Sequence, residues 1–185
     1  MPKTLFINAC VRENSRTLEL GKHVLKMLGG EYEELRLYEA DLVPLNTEVL
    51  KERDLAFAAK DFSKNTFSLA RQFAAAEIIV IAAPYWDLMF PSVVKTYLES
   101  VTVNGLTFAY SESGVPYGLC KGKRLIYVTT SGGPILYNFG YDYVCALARN
   151  FYGIQDVQCI SAEKLDIRGA DAEEILRGAK ESVAL

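Results

Sequence analysis

The chain has 185 residues, 50% hydrophobic and 23% charged, a composition typical of one globular domain and not of a disordered or fibrous protein. Its formal net charge is -3, and the 20 basic side chains form no cluster that could follow a phosphate backbone. We therefore expect a single domain over residues 1–185 that does not bind nucleic acid.

The N-terminal stretch MPKTLFINAC has too few apolar residues for a signal peptide, and no stretch elsewhere is long enough to span a membrane. The cysteines are Cys10, Cys120, Cys145 and Cys159. They contain no C-x-x-C pair, which favours reduced thiols over a disulfide framework or a zinc site. The sequence therefore predicts a cytoplasmic protein without a membrane segment and without a bound metal.

Five runs of mainly apolar or alternating residues predict β-strands, at 3–8, 32–38, 77–83, 124–130 and 156–162. Helical patterns lie between them, at 17–28, as one or two helices within 47–75, and at 91–103, 140–151 and 171–183. Buried strands that alternate with helices predict an α/β fold. Its core is a doubly wound five-stranded parallel sheet in the order 2-1-3-4-5, with helices on both faces.

Residues 106–123 do not have a helical pattern and lie between the third crossover and the fourth strand. Thr107, Phe108, Tyr110 and Gly114 predict a hairpin-like excursion, which we interpret as a lid, an interface arm or a long loop. The stretch GLCKGKR within and after it lacks the spacing of a phosphate-binding P-loop, and no G-x-G-x-x-G follows a strand.

Acidic and imidazole side chains give little sign of a metal site or of acid–base catalysis. The only histidine, His23, falls within a predicted helix, which removes most mechanisms that need a histidine base. Glu33, Glu34, Asp166 and Asp171 lie in polar segments, and we expect them to face water and not to form a metal cluster.

The segment after the first strand contains several phosphate-binding side chains. In open parallel sheets, ligands bind beyond the carboxyl ends of the strands, where the winding reverses between strands one and three. Arg12, Ser15, Arg16 and Thr17 stand there, just before a helix. A helix N-terminus has free N–H groups and a partial positive charge, so this segment is suited to a phosphate. The alternative is that Ser15 or Thr17 only caps the helix and that the arginines are solvated.

The segments after the third and fourth strands offer an aromatic surface and a glycine loop. APYWDLMFP (83–91) contains the only tryptophan, Trp86, and TTSGGP (129–134) has two glycines whose backbone can approach a ligand closely. Each has a plain alternative, since Trp86 could be a core residue and Gly132-Gly133 an ordinary turn. Because all three segments follow neighbouring strands, together they predict a site for a phosphorylated planar heterocycle.

Ordered motifs along most of the chain carry a family resemblance. They are R-x-x-S-x-T at 12–17, A-P-aromatic-aromatic at 83–86, P-S-x-x-K-x-Y-x-E at 91–99, G-L-T-F at 105–108 and T-S-G-G at 130–133. The set resembles the FMN-dependent, flavodoxin-like NAD(P)H oxidoreductases, in particular azoreductases, quinone reductases and the related FMN reductases.

The resemblance implies FMN as cofactor and NADH or NADPH as electron donor. A hydride would pass to a quinone, azo compound or similar small aromatic acceptor in a ping-pong reaction. The flavin supplies this chemistry, so no catalytic side chain is expected. The resemblance also implies a homodimer with the flavin near the interface, for which 106–117 or 137–152 could supply the surface. The alternatives are a flavodoxin-type electron carrier and a non-redox flavodoxin-like binding domain.

The resemblance also assigns roles to individual residues. Those expected to bind the cofactor are Cys10, Arg12, Ser15, Arg16, Thr17, Pro84, Tyr85, Trp86, Asp87, Leu88, Thr130, Ser131, Gly132 and Gly133. Trp86 with Tyr137 or Phe139 is expected to border the acceptor. The N–H groups of residues 131–133 are expected to stabilise negative charge on the pyrimidine edge of the reduced ring. Asp87 stands where many azoreductases have an amide, and Cys10 where a serine is common.

Overall fold

The computed structural model describes residues 3–185. Its strands are β1 (Thr4–Asn8), β2 (Tyr32–Arg36), β3 (Ile78–Ala82), β4 (Phe108–Tyr110), β5 (Pro116–Gly118), β6 (Arg124–Thr130) and β7 (Asp156–Ala162). Its α-helices are α1 (Arg16–Leu28), α2 (Thr47–Ala59), α3 (Ser68–Ala75), α4 (Ser92–Val101), α5 (Phe139–Leu147) and α6 (Ala172–Glu181). Within residues 3–185, no helix is both long enough and apolar enough to cross a membrane.

The main sheet has the order β2-β1-β3-β6-β7, and all its neighbouring strands are parallel. Since β6 and β7 are the fourth and fifth strands of this sheet, the predicted order 2-1-3-4-5 is confirmed. β1, β3 and β6 are almost entirely buried, because helices cover both faces of the sheet.

Successive residues of the central strands pack into two separate cores, as the two-residue period of a strand requires. Phe6 and Val80 belong to the core that α1 and α6 cover, together with Leu20 and Leu176. Leu5, Ile79 and Leu125 face the other way and pack in the core that contains Phe73 of α3 and Tyr97 of α4. The sheet is therefore doubly wound, as predicted.

The predicted excursion at 106–123 is an antiparallel hairpin formed by β4 and β5. It lies against the turn that follows α5, Ala148–Tyr152, which has the wider spacing of a π-helix. Gly118 and Gly153 meet there, and the Cβ position of Gly153 is 3.4 Å from the Cα of Gly118. Two glycines thus allow two backbone segments to cross in contact.

The helix predictions hold with small differences at the ends. The region 47–75 contains two helices, α2 and α3, joined through a 3₁₀ turn at Asn65–Phe67. The helix predicted at 140–151 divides into α5 and the π-helical turn, and the last residue of this turn, Tyr152, is buried in the core.

Candidate active site

The segments after β1, β3 and β6 form one cleft at the carboxyl edge of the sheet, here called the carboxyl-edge cleft, with a volume of about 220 Å³. Its lining includes the predicted residues Arg12, Ser15, Arg16, Thr17, Pro84, Tyr85, Trp86, Thr130, Ser131 and Gly132. Val11, Asn14 and Asp166 complete the lining and were not among the predicted site residues. The three segments therefore meet as their strand positions require.

The other predicted residues lie outside the lining of this cleft, namely Cys10, Asp87, Leu88, Gly133, Tyr137 and Phe139. The rings of Tyr137 and Phe139 are stacked, with centroids 5.7 Å apart and planes at 8°. The Tyr85 hydroxyl donates to the Tyr137 carbonyl at 2.7 Å, and the Phe139 N–H donates to the Leu88 carbonyl at 3.2 Å. These two bonds join the segment after β3 to the segment after β6.

The start of α1 combines a capping side chain with free backbone donors. Ser15 is the N-cap, and its Oγ accepts a hydrogen bond from the Leu18 N–H at 3.2 Å. The N–H groups of Arg16 and Thr17 have no hydrogen-bond acceptor among residues 3–185. Ser15 therefore caps the helix, which was the alternative considered from the sequence. The cap still leaves two N–H donors and the positive end of the helix dipole at the cleft.

The hydroxyls of Thr17 and Thr130 bond to each other across the cleft floor, with 2.6 Å between their Oγ1 atoms. Thr17 is 1% exposed and Thr130 is 9% exposed, so each satisfies the other in a buried place. The pair ties the start of α1 to the end of β6, two segments far apart in the chain. The Thr17 side chain thus joins the loops, while its backbone N–H stays free.

The two arginines of the first segment have different surroundings. Arg16 donates from Nη1 to the Leu165 carbonyl at 3.1 Å and from Nη2 to Oδ1 of Asp166 at 2.7 Å. Arg12 is exposed and has no acceptor among the described residues. The expectation that Asp166 faces water is incomplete. About 64% of its side chain is exposed, but it also pairs with Arg16 and lines the cleft.

The glycine loop after β6 is fixed by the segment after β7. The carbonyls of Ser131, Gly132 and Gly133 accept hydrogen bonds from the N–H groups of Leu165, Asp166 and Lys164, at 2.9 to 3.1 Å. The Ser131 N–H donates to the Ala162 carbonyl at 3.0 Å, so this donor is already paired within the chain. The N–H groups of Gly132 and Gly133 have no acceptor within the described chain, and two of the three predicted donors remain available.

Trp86 to Met89 form a two-residue hairpin turn, closed by hydrogen bonds of 2.9 and 2.8 Å between their N–H and carbonyl groups. Asp87 (φ 50°) and Leu88 (φ 68°) both adopt the left-handed conformation, as a type I′ turn requires. Leucine is rare there, and each such residue costs on the order of 1 kcal/mol or more. The turn leaves Trp86 42% exposed, so it is not a core residue.

Cys10 lies behind the cleft, where its Sγ is 3.7 Å from the Ala82 carbonyl. Burial raises the pKa of this thiol, and the hydrogen bond with Ser15 only partly opposes the shift. The shift favours the protonated thiol over the thiolate, which is the nucleophilic form. The Cys10 backbone N–H donates to Oδ1 of Asn8 at 2.9 Å, which fixes the start of the segment after β1.

Comparison with known proteins gives the family directly. A family model described as the flavodoxin-like fold matches residues 2–184. The chain belongs to this flavodoxin-like family. The match spans nearly the whole chain and agrees with the observed order of the parallel strands.

Among relatives of this flavodoxin-like protein are two named FMN-dependent NADH:quinone oxidoreductase. The protein from Lachnoclostridium phytofermentans is 35% identical over 195 residues, with 100% of this chain and 98% of the relative covered. The one from Coprothermobacter proteolyticus is 33% identical over 187 residues and covers 94% and 92% of the two chains. The similarity is therefore to whole proteins and not to one domain of a larger one.

Solved structures show the same fold. An azoreductase from Bacillus anthracis superposes with a TM-score of 0.82 at 23% identity, covering 98% of this chain and 96% of that one. An FMN-dependent NADH-azoreductase from the same species, solved in complex with FMN, gives a TM-score of 0.79 at 25% identity, with coverage of 98% and 95%.

Proposed function

We propose that this protein is an FMN-dependent oxidoreductase that passes a hydride from NADH to a quinone or azo acceptor. The observation that carries the proposal is the convergence in one cleft of free N–H groups, an unpaired guanidinium and an exposed indole. The names of the relatives, which specify FMN, NADH and quinone or azo chemistry, support the same assignment.

The residues present fit the parts of FMN. The N–H groups of Arg16 and Thr17 at the positive end of α1, together with the Arg12 guanidinium, suit a phosphate dianion. Trp86 supplies a flat apolar surface suited to a ring system. The unpaired N–H groups of Gly132 and Gly133 suit the carbonyl and nitrogen acceptors of a pyrimidine edge.

The protein contributes binding, orientation and charge stabilisation. FMN, when bound, supplies the redox step by taking a hydride from NADH and giving it to the acceptor, in ping-pong order. The Gly132 and Gly133 N–H groups would stabilise negative charge on the pyrimidine edge, because their dipoles are fixed beforehand by the bonds to the segment after β7. The exposed rings of Trp86, Tyr137 and Phe139 offer a flat apolar surface to an aromatic acceptor.

An absorbance spectrum followed by anaerobic addition of NADH and NADPH in turn tests this proposal. The protein incubated with FMN and then gel-filtered is expected to keep the flavin absorption bands. NADH should bleach them on mixing, and a quinone should restore them. A protein that keeps FMN but is not reduced by either nucleotide would be an electron carrier. A protein that stays colourless after incubation with FMN would be a non-redox binding domain.

The proposal includes a homodimer, as the family resemblance implies. Its support is the exposed apolar surface of two regions, with Tyr110, Val115 and Tyr117 in the hairpin and Leu136 and Tyr137 before α5, each at least 50% exposed. Sedimentation equilibrium is expected to give twice the chain mass of 20.6 kDa. The double change Tyr117→Asp and Leu136→Asp should give the monomer mass, whereas a wild-type monomer at micromolar concentration would contradict the dimer.

A cytoplasmic location and the absence of nucleic acid binding are part of the same proposal. The thiols of Cys120 and Cys159 are partly buried and unpaired, and burial raises the pKa of each to about 12. Cysteines that form no disulfide are usual where the surroundings are reducing. The net charge of -3 opposes the phosphate backbone of nucleic acids.

A further inference from the structure

We propose that Asp166 determines how the carboxyl-edge cleft recognises the phosphate charge. It neutralises Arg16, so that Arg12 is the guanidinium available to the ligand. This inference rests on the proposed function, because it concerns the phosphate of FMN. Arg12 and Arg16, which stand in the same sequence motif, thus have different roles.

The first support is the geometry of the ion pair. Asp166 accepts from Nη2 of Arg16 at 2.7 Å, while the Leu165 carbonyl accepts from Nη1 at 3.1 Å. Two of the five N–H bonds of this guanidinium thus hold it against the segment after β7. Arg12 makes no such bond within the described residues, so its whole charge remains unpaired.

The second support is the way the Asp166 carboxylate is held at the cleft. The Asp166 N–H donates to the Gly132 carbonyl at 2.9 Å, which fixes its backbone beside the glycine loop. Its Oδ2 occupies the space that a Cβ atom of Gly132 would need. The carboxylate therefore lies at the lining of the cleft, and without Arg16 it would face a bound phosphate as an uncompensated negative charge.

The third support is the charge balance of the lining. Its ionised side chains are Arg12, Arg16 and Asp166, and the last two cancel. A phosphate monoester carries about -1.5 to -2 at pH 7, so it is attracted by Arg12 and by the positive end of α1. Replacing Arg16 removes the charge that shields Asp166, whereas replacing Asp166 frees the Arg16 charge for the ligand.

A double-mutant cycle on Arg16 and Asp166, read as affinity for FMN and for riboflavin by flavin fluorescence, tests the proposal. Arg16→Gln should weaken the binding of FMN by about tenfold or more, and Asp166→Asn alone should tighten the binding of FMN by about threefold. The double variant should bind within about threefold of wild type, because the exposed carboxylate is gone. Arg12→Gln should weaken the binding of FMN by about tenfold. Riboflavin, which lacks the phosphate, should not respond to any of these changes.

Two further measurements separate charge from packing. The differences in FMN affinity among the variants should become smaller as the salt concentration is raised. Salt screens an electrostatic effect at an open cleft but does not screen a packing effect. Arg177→Gln, on the exposed face of α6, is the matched control and should change neither affinity. A cooperative thermal unfolding transition of each variant would show that the variant is folded.

The outcomes are distinct. A double variant as weak as Arg16→Gln would overturn the proposal, because Arg16 would then contact the phosphate itself. Equal loss of FMN and riboflavin in Arg16→Gln would also overturn it, because the pair would then only support the fold. A wild-type protein that binds neither flavin would instead overturn the proposed function, and with it this inference.

Discussion

Gly118→Ala is expected to lower the free energy of unfolding by about 3 kcal/mol or more, because there is no space for the new methyl group. A Cβ atom on Gly118 would overlap backbone atoms of Tyr152 and Gly153, which cannot rotate away as a side chain can. The base of the hairpin is also held in place, since Oγ1 of Thr107 donates to the Val101 carbonyl at the end of α4, at 2.8 Å. Denaturant unfolding followed by circular dichroism measures the effect as a lower midpoint.

Gly178→Ala is the control for this change. Gly178 lies within α6, and a Cβ atom there would have no neighbour within 4 Å. Alanine is therefore expected to stabilise the protein by about 0.5 to 1 kcal/mol, through its better helix propensity. Equal midpoints for the two variants would show that the hairpin does not approach the turn after α5 as closely as the structure has it.

Trp86→Ala is expected to weaken the binding of both FMN and riboflavin by about ten- to a hundredfold, because the change removes the flat indole surface from the cleft. Trp86 lines the cleft and is held there by the closed turn with Met89. It bears no charge, so the ratio of the two affinities should stay as in wild type. Flavin fluorescence gives both affinities.

Trp86→Phe is the matched variant and should keep most of the affinity, since an aromatic face remains. Trp86 is the only tryptophan, so protein fluorescence excited selectively at tryptophan reports on this position alone. Addition of FMN to wild type should quench it. Unquenched fluorescence with FMN bound, or unchanged affinity in Trp86→Ala, would place the flavin away from this indole.

The sheet could be predicted from the sequence because the pattern of its strands is local. The apolar runs at 77–83 and 124–130 are buried on both faces, and a run of this kind between helices has few other stable arrangements. The meeting of three loops followed from the strand order, since parallel strands end at the same edge. The resemblance then named the ligand type, which periodicity alone does not show.

The missed features depend on contacts between distant residues or on unusual backbone. Asp166 joins the site through Arg16, 150 positions away, and nothing near it in sequence marks it as a site residue. The turn at Asp87-Leu88 has no glycine or asparagine, the residues that normally indicate a type I′ hairpin. The Ser131 N–H bonds to Ala162 on the neighbouring strand, and a loop motif cannot reveal such a bond.

The strand order of the sheet also bears on how the chain folds during synthesis on the ribosome. β3 pairs with β1 on one side and with β6 on the other, but β6 emerges only after residues 83–123 have been made. The nascent chain therefore presents the apolar edge of Ile78–Ala82 without a partner through that interval. Such an edge is a template for pairing between chains, so the nascent chain is exposed to aggregation until β6 pairs with β3.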